Sequence, residues 1–149
     1  MERFVEWAFW KFYAWRGGRV IFRTDHTTHA EVPYLARVKV FRFRWFGLLL
    51  HCLLSSDEDG VHDHPWDNAS LILAGRYVEE FADGTSVIRG PGTFVLRRAE
   101  QFHRLVLTGS PAPKADRVYT AFFIGKRRRR WGFLPDSNGW RAHSSEDNS

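Results

Sequence analysis

Val61-His62-Asp63-His64-Pro65 is the segment of this 149-residue chain that constrains its structure and chemistry most tightly. Its alternation predicts a short strand over 61–64. Side chains two residues apart on a strand point to the same face, about 6.5–7 Å apart. His62 and His64 can therefore converge on one metal ion at about 2.0–2.1 Å each, whereas Asp63 points to the opposite face. The proline that follows favours extended backbone at His64 and ends the strand.

The residues that follow this pair keep a regular spacing. Three residues separate His64 from Asn68, and six more separate Asn68 from Gly75. Further along the chain, Gly92 opens a second segment that ends at His103. This segment places a third histidine on a separate predicted strand.

Together the two segments resemble the two motifs of the cupin superfamily, written G-x5-H-x-H-x(3,4)-E-x6-G and G-x5-P-x-G-x2-H-x3-N. His62, His64 and Gly75 match the first motif, and Gly92 and His103 match the second. The resemblance spans about residues 47–125. It implies a double-stranded β-helix, or jelly-roll, barrel with a metal ion inside.

The chain departs from both motifs. Asn68 stands where the first motif has its glutamate ligand, and Ser56 replaces the opening glycine. The second motif has lost its proline, its second glycine and its asparagine, which are replaced by Arg98, Glu100 and Leu107. Three interpretations stay open: a site of three histidines, a site completed by an oxygen of Asp67 or Glu100, and a degenerate site without metal.

A three-histidine site resembles that of the thiol-dioxygenase type of cupin, which implies Fe(II). Three histidines leave three positions open on an octahedral iron, which suits dioxygen and a bidentate substrate. We therefore expect an Fe(II) oxygenase acting on a small polar or anionic substrate, with His62, His64 and His103 as metal ligands. The ligand type also admits zinc, manganese or nickel. A non-catalytic cupin-type binding protein and a metal-dependent isomerase or epimerase are the alternatives.

Further candidate residues surround these histidines in the predicted barrel. His51 lies in a buried apolar strand and is either an acid/base in the pocket or a satisfied core histidine. Asn68 and Tyr119 are candidates to position the substrate, and Trp66 is a candidate for the pocket wall. An arginine facing the interior would need an anion to pair with. The candidates for this role are Arg76, Arg98 and Arg104.

The composition has two unusual features. Aromatic residues make up 16% of the chain, and the cations comprise eighteen arginines and only four lysines. Arginine binds carboxylates and phosphates in a fork, which suggests an anionic partner. The five cations of 126–130 are followed by aromatic residues, as in some nucleic-acid-binding segments. On a strand, however, alternate side chains point to opposite faces, so a nucleic-acid-binding protein is the least favoured of the alternatives. Cys52 is the single cysteine, which excludes an internal disulfide and a cysteine-rich zinc site.

The pattern of elements predicts an all-β barrel with one N-terminal helix. The helix covers 2–15 and ends at a glycine pair. Strands are expected at 19–24, 37–45, 47–54, 61–64, 70–81, 85–89, 93–98, 102–107 and 117–124. A change of apolar parity between Val40 and Phe41 indicates a β-bulge.

The sequence predicts a single domain. We expect it to cover 1–142 and to be followed by a disordered tail over 143–149. His26 and His29 fall in a predicted loop. The longest apolar run, 46–54, is too short for a membrane span, and the N-terminus does not resemble a secretory signal, so we expect a cytoplasmic protein. The aromatic helix needs cover, which favours a homodimer.

Overall fold

The computed structural model describes residues 1–25, 28–57, 60–108, 116–134 and 141–142. One helix and eleven strands lie in these ranges. They are α1 (Glu2–Arg16), β1 (Arg19–Thr24), β2 (Glu31–Arg42), β3 (Gly47–Leu53), β4 (Trp66–Ala74), β5 (Tyr77–Phe81), β6 (Ser86–Arg89), β7 (Phe94–Arg97), β8 (His103–Leu107), β9 (Val118–Arg127), β10 (Gly132–Phe133) and β11 (Arg141–Ala142).

The strands form two facing antiparallel sheets. The larger sheet has six strands in the order β1-β2-β3-β9-β4-β7, and the smaller has three in the order β6-β5-β8. Strands β10 and β11 form a separate pair. Leu35, Ile72 and Val118 from the larger sheet pack with Tyr77 and Leu107 from the smaller one, so the core lies between the two inner faces. This architecture confirms the predicted all-β barrel.

Helix α1 lies on the outer face of the six-stranded sheet. Phe9, the one described helix residue that is buried, packs with Val38, Cys52 and Tyr119 in a second apolar cluster. The helix ends at Gly17, whose left-handed backbone (φ 66°) is the conformation expected after a helix C-terminus. The predicted helix and its glycine stop are therefore confirmed. Burial raises the pKa of the Cys52 thiol to about 11, which makes it an inert core group.

The second strand is longer than its sequence suggests. β2 begins at Glu31 rather than at Arg37, and Pro33 lies within the strand, next to a register shift in its pairing with β1. Proline usually interrupts a central strand, so the pattern alone concealed this extension. The predicted bulge is present, as a register shift between Lys39 and Phe41.

Two other predicted strands are wrong in detail. The segment 70–81 is not one strand, because β4 ends at Ala74 and β5 begins at Tyr77 in the opposite sheet. Gly75 makes the turn between them with φ 75°. The segment 61–64 is not a regular strand either. There, His62 forms only isolated bridges, to His103 and to Phe133.

Some expectations concern residues outside the described ranges. His26 and the tail 143–149 both fall there. His29 is described, and it lies exposed in a turn with φ 56°. No helix in the described part of the chain is both long and apolar enough to cross a membrane.

Replacing Gly75 should destabilise the fold more than replacing another glycine of the same conformation. A Cβ at Gly75 would overlap the carbonyl oxygen of Arg117 and lie 3.0 Å from the Cα of Val118, in addition to the strain of positive φ. Gly84 has φ 82° but no atom within 4 Å of such a Cβ. We expect Gly84→Ala to cost about 1–2 kcal/mol and Gly75→Ala clearly more, measured by urea denaturation. Equal losses would contradict the proposed overlap.

Candidate metal centre

Three histidines meet between the two sheets at one end of the barrel. His62 and His103 exchange backbone hydrogen bonds of 2.9 and 3.0 Å, and the His64 amide donates to the Ala99 carbonyl at 3.0 Å. These bonds hold the loop before β4 against the start of β8. As a result, one ring nitrogen from each histidine lies within 4.8 Å of the other two. The Nε2 atoms of His64 and His103 are 2.7 Å apart.

His103 is oriented by a buried carboxylate. Its Nδ1 lies 2.8 Å from Oε1 of Glu79, which leaves Nε2 directed at the other two histidines. The Glu79 side chain has no exposed surface and also accepts hydrogen bonds from Arg97 Nε (2.6 Å) and Arg89 Nε (2.9 Å). Burial raises the pKa of Glu79, but the hydrogen bonds from His103 and Arg97 outweigh it and hold the pKa at about 2.

Sequence reasoning missed Glu79, although a signal was present. Tyr77, Glu79 and Phe81 alternate along β5 and share one face, and Tyr77 belongs to the core. A charged residue at the inward position of a short strand therefore indicated a buried ion pair. The sequence prediction runs a single strand through Gly75, and this wrong boundary conceals the alternation of β5.

Asp57 flanks His62 from the other side. Its Oδ2 is 4.0 Å from His62 Nδ1 and accepts a hydrogen bond of 2.7 Å from the Leu105 amide. The Tyr34 hydroxyl donates to Oδ1. Asp57 is therefore fixed near the Nδ1 edge of His62, although the 4.0 Å separation is too long for a hydrogen bond.

A segment over 128–134, which we call the covering segment, lies against the same histidine. The rings of Trp131 and Phe133 are 6.1 and 5.9 Å from the His62 ring, centroid to centroid. The segment is pinned by Asp63, whose Oδ1 accepts from the Gly132 amide at 2.6 Å and whose Oδ2 pairs with Arg129 at 3.0 Å. Asp63 thus points away from the three histidines, as its place in the H-x-H pattern predicted.

The electrostatics favour neutral imidazoles in this cluster. Burial, together with the neighbouring His62 and His103, lowers the pKa of His64 well below its ordinary value. Burial also lowers the pKa of His103, against the opposing effect of its hydrogen bond to Glu79. Neutral imidazole is the form that ligates a metal ion, so this set of donors fits a divalent transition metal.

The two alternative oxygen ligands are not brought to the histidines. Asp67 is exposed, caps the Ala99 amide at 2.8 Å and pairs with Arg128 at 2.8 Å. Glu100 is also exposed and pairs with Arg128 at 3.2 Å. Both carboxylates lie at the surface, so the cluster contains histidines alone among the described residues. Two of the five cations at 126–130 are likewise held in ion pairs.

His51 lies in the barrel interior near the three histidines. Its ring stacks on Phe122 at 4.8 Å, and Phe122 in turn is 6.4 Å from the ring of His64. Arg37 donates from Nε to His51 Nε2 at 3.2 Å. Burial and the charge of Arg37 lower the pKa of His51 well below its ordinary value, so His51 is neutral near neutral pH. Arg37 was not among the predicted site residues.

Asn68 and Trp66 carry polar atoms without partners. Asn68 is buried, and neither of its amide atoms has a hydrogen-bond partner among the described residues. The indole nitrogen of Trp66 is also buried without a hydrogen-bond partner among the described residues. The Trp66 ring lies 5.3 Å from the guanidinium of Arg42. Buried polar groups are normally hydrogen-bonded, so these atoms indicate a polar ligand or water.

Tyr119 lies on the other side of the sheet from His51. Its hydroxyl donates to Glu6 at 3.2 Å and accepts from Trp10 Nε1 at 3.3 Å, both on α1. Burial raises the pKa of Tyr119 far above its ordinary value. The structure thus brings Tyr119 to the helix and not to the histidines.

The three arginines predicted to meet a substrate also lie outside this cluster. Arg76 and Arg98 are exposed, and Arg104 pairs with Glu80 at the surface at 2.6 Å. The strand alternation explains the error at one position. Arg97, one residue before Arg98, points inward from β7, as Val95 does, and binds Glu79.

Comparison with known proteins shows what this architecture is. No protein-family model matches the chain, and no curated protein matches its sequence. Among solved structures, the polyketide cyclase RemF from Streptomyces resistomycificus is similar with a TM-score of 0.58 and 16% identity, over 83% of this chain and 85% of that one. A cupin 2 conserved barrel domain protein from Rhodopseudomonas palustris has a TM-score of 0.57 and 14% identity, over 80% and 79%. The chain has the cupin fold.

A third solved structure agrees with this fold. A cupin superfamily protein from Desulfitobacterium hafniense has a TM-score of 0.50 and 13% identity, and the similarity covers 72% of this chain and 98% of that one. Identities this low relate these proteins through the cupin fold alone. The resemblance noted in the two sequence motifs is therefore confirmed at the level of the fold.

Removing the charge of Glu79 should destabilise the protein strongly. Glu79→Gln leaves the guanidinium of Arg97 buried without its anion, and breaking a buried pair in this way costs about 3–5 kcal/mol. The matched control is Glu80→Gln, which removes a surface pair with Arg104 and should cost about 1 kcal/mol or less. Urea denaturation measures both. A loss for Glu79→Gln no larger than that for Glu80→Gln would contradict the role of the buried pair.

Proposed function

We propose that this cupin barrel binds a divalent transition metal through His62, His64 and His103, and that the metal is Fe(II). The observation that carries the proposal is the convergence of three imidazole nitrogens, with no carboxylate among them in the described part of the chain. Bound Fe(II) would supply open coordination positions where a small substrate and dioxygen can meet. The proposed reaction class is oxygenation of a small polar or anionic substrate.

The residues around the histidines have separate tasks in this proposal. Glu79 holds His103 with Nε2 directed inward, and Asp57 lies beside Nδ1 of His62. A carboxylate hydrogen-bonded to a ligand histidine, as Glu79 is to His103, fixes its tautomer and orientation. His51 is kept neutral by burial and by Arg37. Because its Nε2 accepts a hydrogen bond from Arg37, its proton lies on Nδ1, which would donate a hydrogen bond to a substrate.

The anionic character of the substrate is supported by Arg37 and Asn68. Arg37 lies on the inner face of β2, where it donates to His51 and places a positive charge inside the barrel. Asn68, on the inner face of β4, offers both a donor and an acceptor. A small carboxylate or phosphate would be attracted by the positive charge of the first and would hydrogen-bond the second.

Metal analysis tests the first part of the proposal. Wild-type protein purified without added metal should contain about one transition-metal ion per chain, and His62→Ala and His103→Ala should each lower this content roughly tenfold or more. His29→Ala, at an exposed turn, is the control and should keep the wild-type content. A metal content that is the same in wild type and His62→Ala would refute the proposed site.

Oxygen uptake separates the reaction classes. Protein reconstituted with Fe(II) should consume dioxygen in the presence of at least one member of a panel of small carboxylic and phosphoric acids. A metal-loaded protein that consumes none would instead point to a metal-dependent isomerase or epimerase, or to a binding protein without catalysis.

A further inference from the structure

The turn between β2 and β3 presents three aromatic rings to water. We call residues 43–46, Phe43-Arg44-Trp45-Phe46, the aromatic tip. The Phe43 amide donates to the Phe46 carbonyl at 2.8 Å, which closes the turn. The exposed fractions are 58% for Phe43, 58% for Trp45 and 52% for Phe46. Contiguous exposed apolar groups of this kind mark interaction surfaces.

The exposed rings belong to a packed cluster. Phe43 and Phe46 are 5.3 Å apart between ring centroids, and both contact Phe41, at 5.6 and 5.8 Å. The rings therefore support one another on the outside of the barrel. Their exposure is a property of a fixed surface and not of separate loose side chains.

The surface around these rings is cationic. The guanidinium of Arg44 and Nζ of Lys126 lie 5.2 and 5.0 Å from the Trp45 ring. Arg16, at the end of α1, donates to the carbonyl of Val40 at 3.0 Å and so brings the helix terminus close to the tip. No acidic residue occurs in the sequence between Glu31 and Asp57, a stretch that includes β2, the tip and β3.

We infer that the aromatic tip docks the protein on the interface of an anionic lipid bilayer. Aromatic side chains settle at the headgroup level, with apolar parts at the boundary of the acyl chains. Arg44 and Lys126 beside the rings match the negative surface potential of such a membrane. Trp15, the neighbour of Arg16 and largely exposed, adds a further aromatic ring at the helix end. This surface is separate from the histidine cluster, and the inference does not depend on the proposed enzymatic activity.

Charge and ring geometry argue against two other occupants. In a two-fold dimer built on this patch, Arg44 and Lys126 of one copy would face the same cations of the other. Single-stranded nucleic acid binds by stacking bases on aromatic faces. At Trp45, two cations already lie over the ring. An anionic membrane would interact with both features, because its headgroups attract the cations and its interface accepts the apolar rings.

Co-sedimentation of the full chain with lipid vesicles tests this inference. We expect binding to vesicles of phosphatidylcholine with phosphatidylserine and weak binding to phosphatidylcholine alone. Phe43→Ser/Phe46→Ser should raise the lipid concentration for half-maximal binding roughly tenfold or more. Phe22→Ser, at an equally exposed phenylalanine on β1 (53%), should not change it.

A second variant keeps the test valid if the double serine protein fails to fold. Arg44→Gln/Lys126→Gln preserves every ring, and it should lose the preference for phosphatidylserine vesicles. Binding of wild type that is no tighter than that of both double variants would overturn the inference. Two further outcomes would overturn the inference. If wild type forms a dimer that Phe43→Ser/Phe46→Ser abolishes, and does not bind vesicles, the occupant is a second copy. If wild type binds an oligonucleotide and the same variant does not, the occupant is a nucleic acid.

Discussion

The buried carboxylate of Glu79 is the interaction on which the rest of the barrel interior depends. Arg97 reaches it from the six-stranded sheet, while Glu79 and His103 belong to the three-stranded sheet. One anion therefore joins the two layers and sets the orientation of a candidate metal ligand. Arg97 also donates to Ser70 Oγ and Tyr77 Oη, so its guanidinium is satisfied on several sides. Such a network is favourable only when each member is paired.

The interior around the histidines is divided between neutral and charged groups. His51, His64 and His103 all have pKa values lowered by burial, whereas Glu79 and Arg97 stay ionised as a pair. The imidazoles can therefore act as uncharged donors although arginines lie close by. Among the described residues, no carboxylate joins the cluster, since Asn68 takes the place of the motif's glutamate and Asp67 pairs with Arg128 at the surface.

The sequence motifs predicted the parts of the structure that depend on spacing. His62, His64 and His103 met as expected, because strand geometry and the motif intervals constrain them. Features that depend on side-chain direction were harder to predict, since a shift of one residue reverses the face of a strand. Arg98 was chosen where its neighbour Arg97 points inward, and the unrecognised turn at Gly75 concealed Glu79. Contacts between segments far apart in the sequence, such as Asp63 with Gly132, leave no local pattern at all.

The covering segment has a kinetic consequence. The Arg128 amide donates to the Pro65 carbonyl at 2.7 Å, the Leu134 amide donates to the Val61 carbonyl at 3.0 Å, and Asp63 and Gly132 exchange hydrogen bonds between these ends. Movement of Trp131 and Phe133 away from His62 therefore requires several of these bonds to open together. Such a movement is a local unfolding event, and its rate is set by the stability of the segment and not by diffusion.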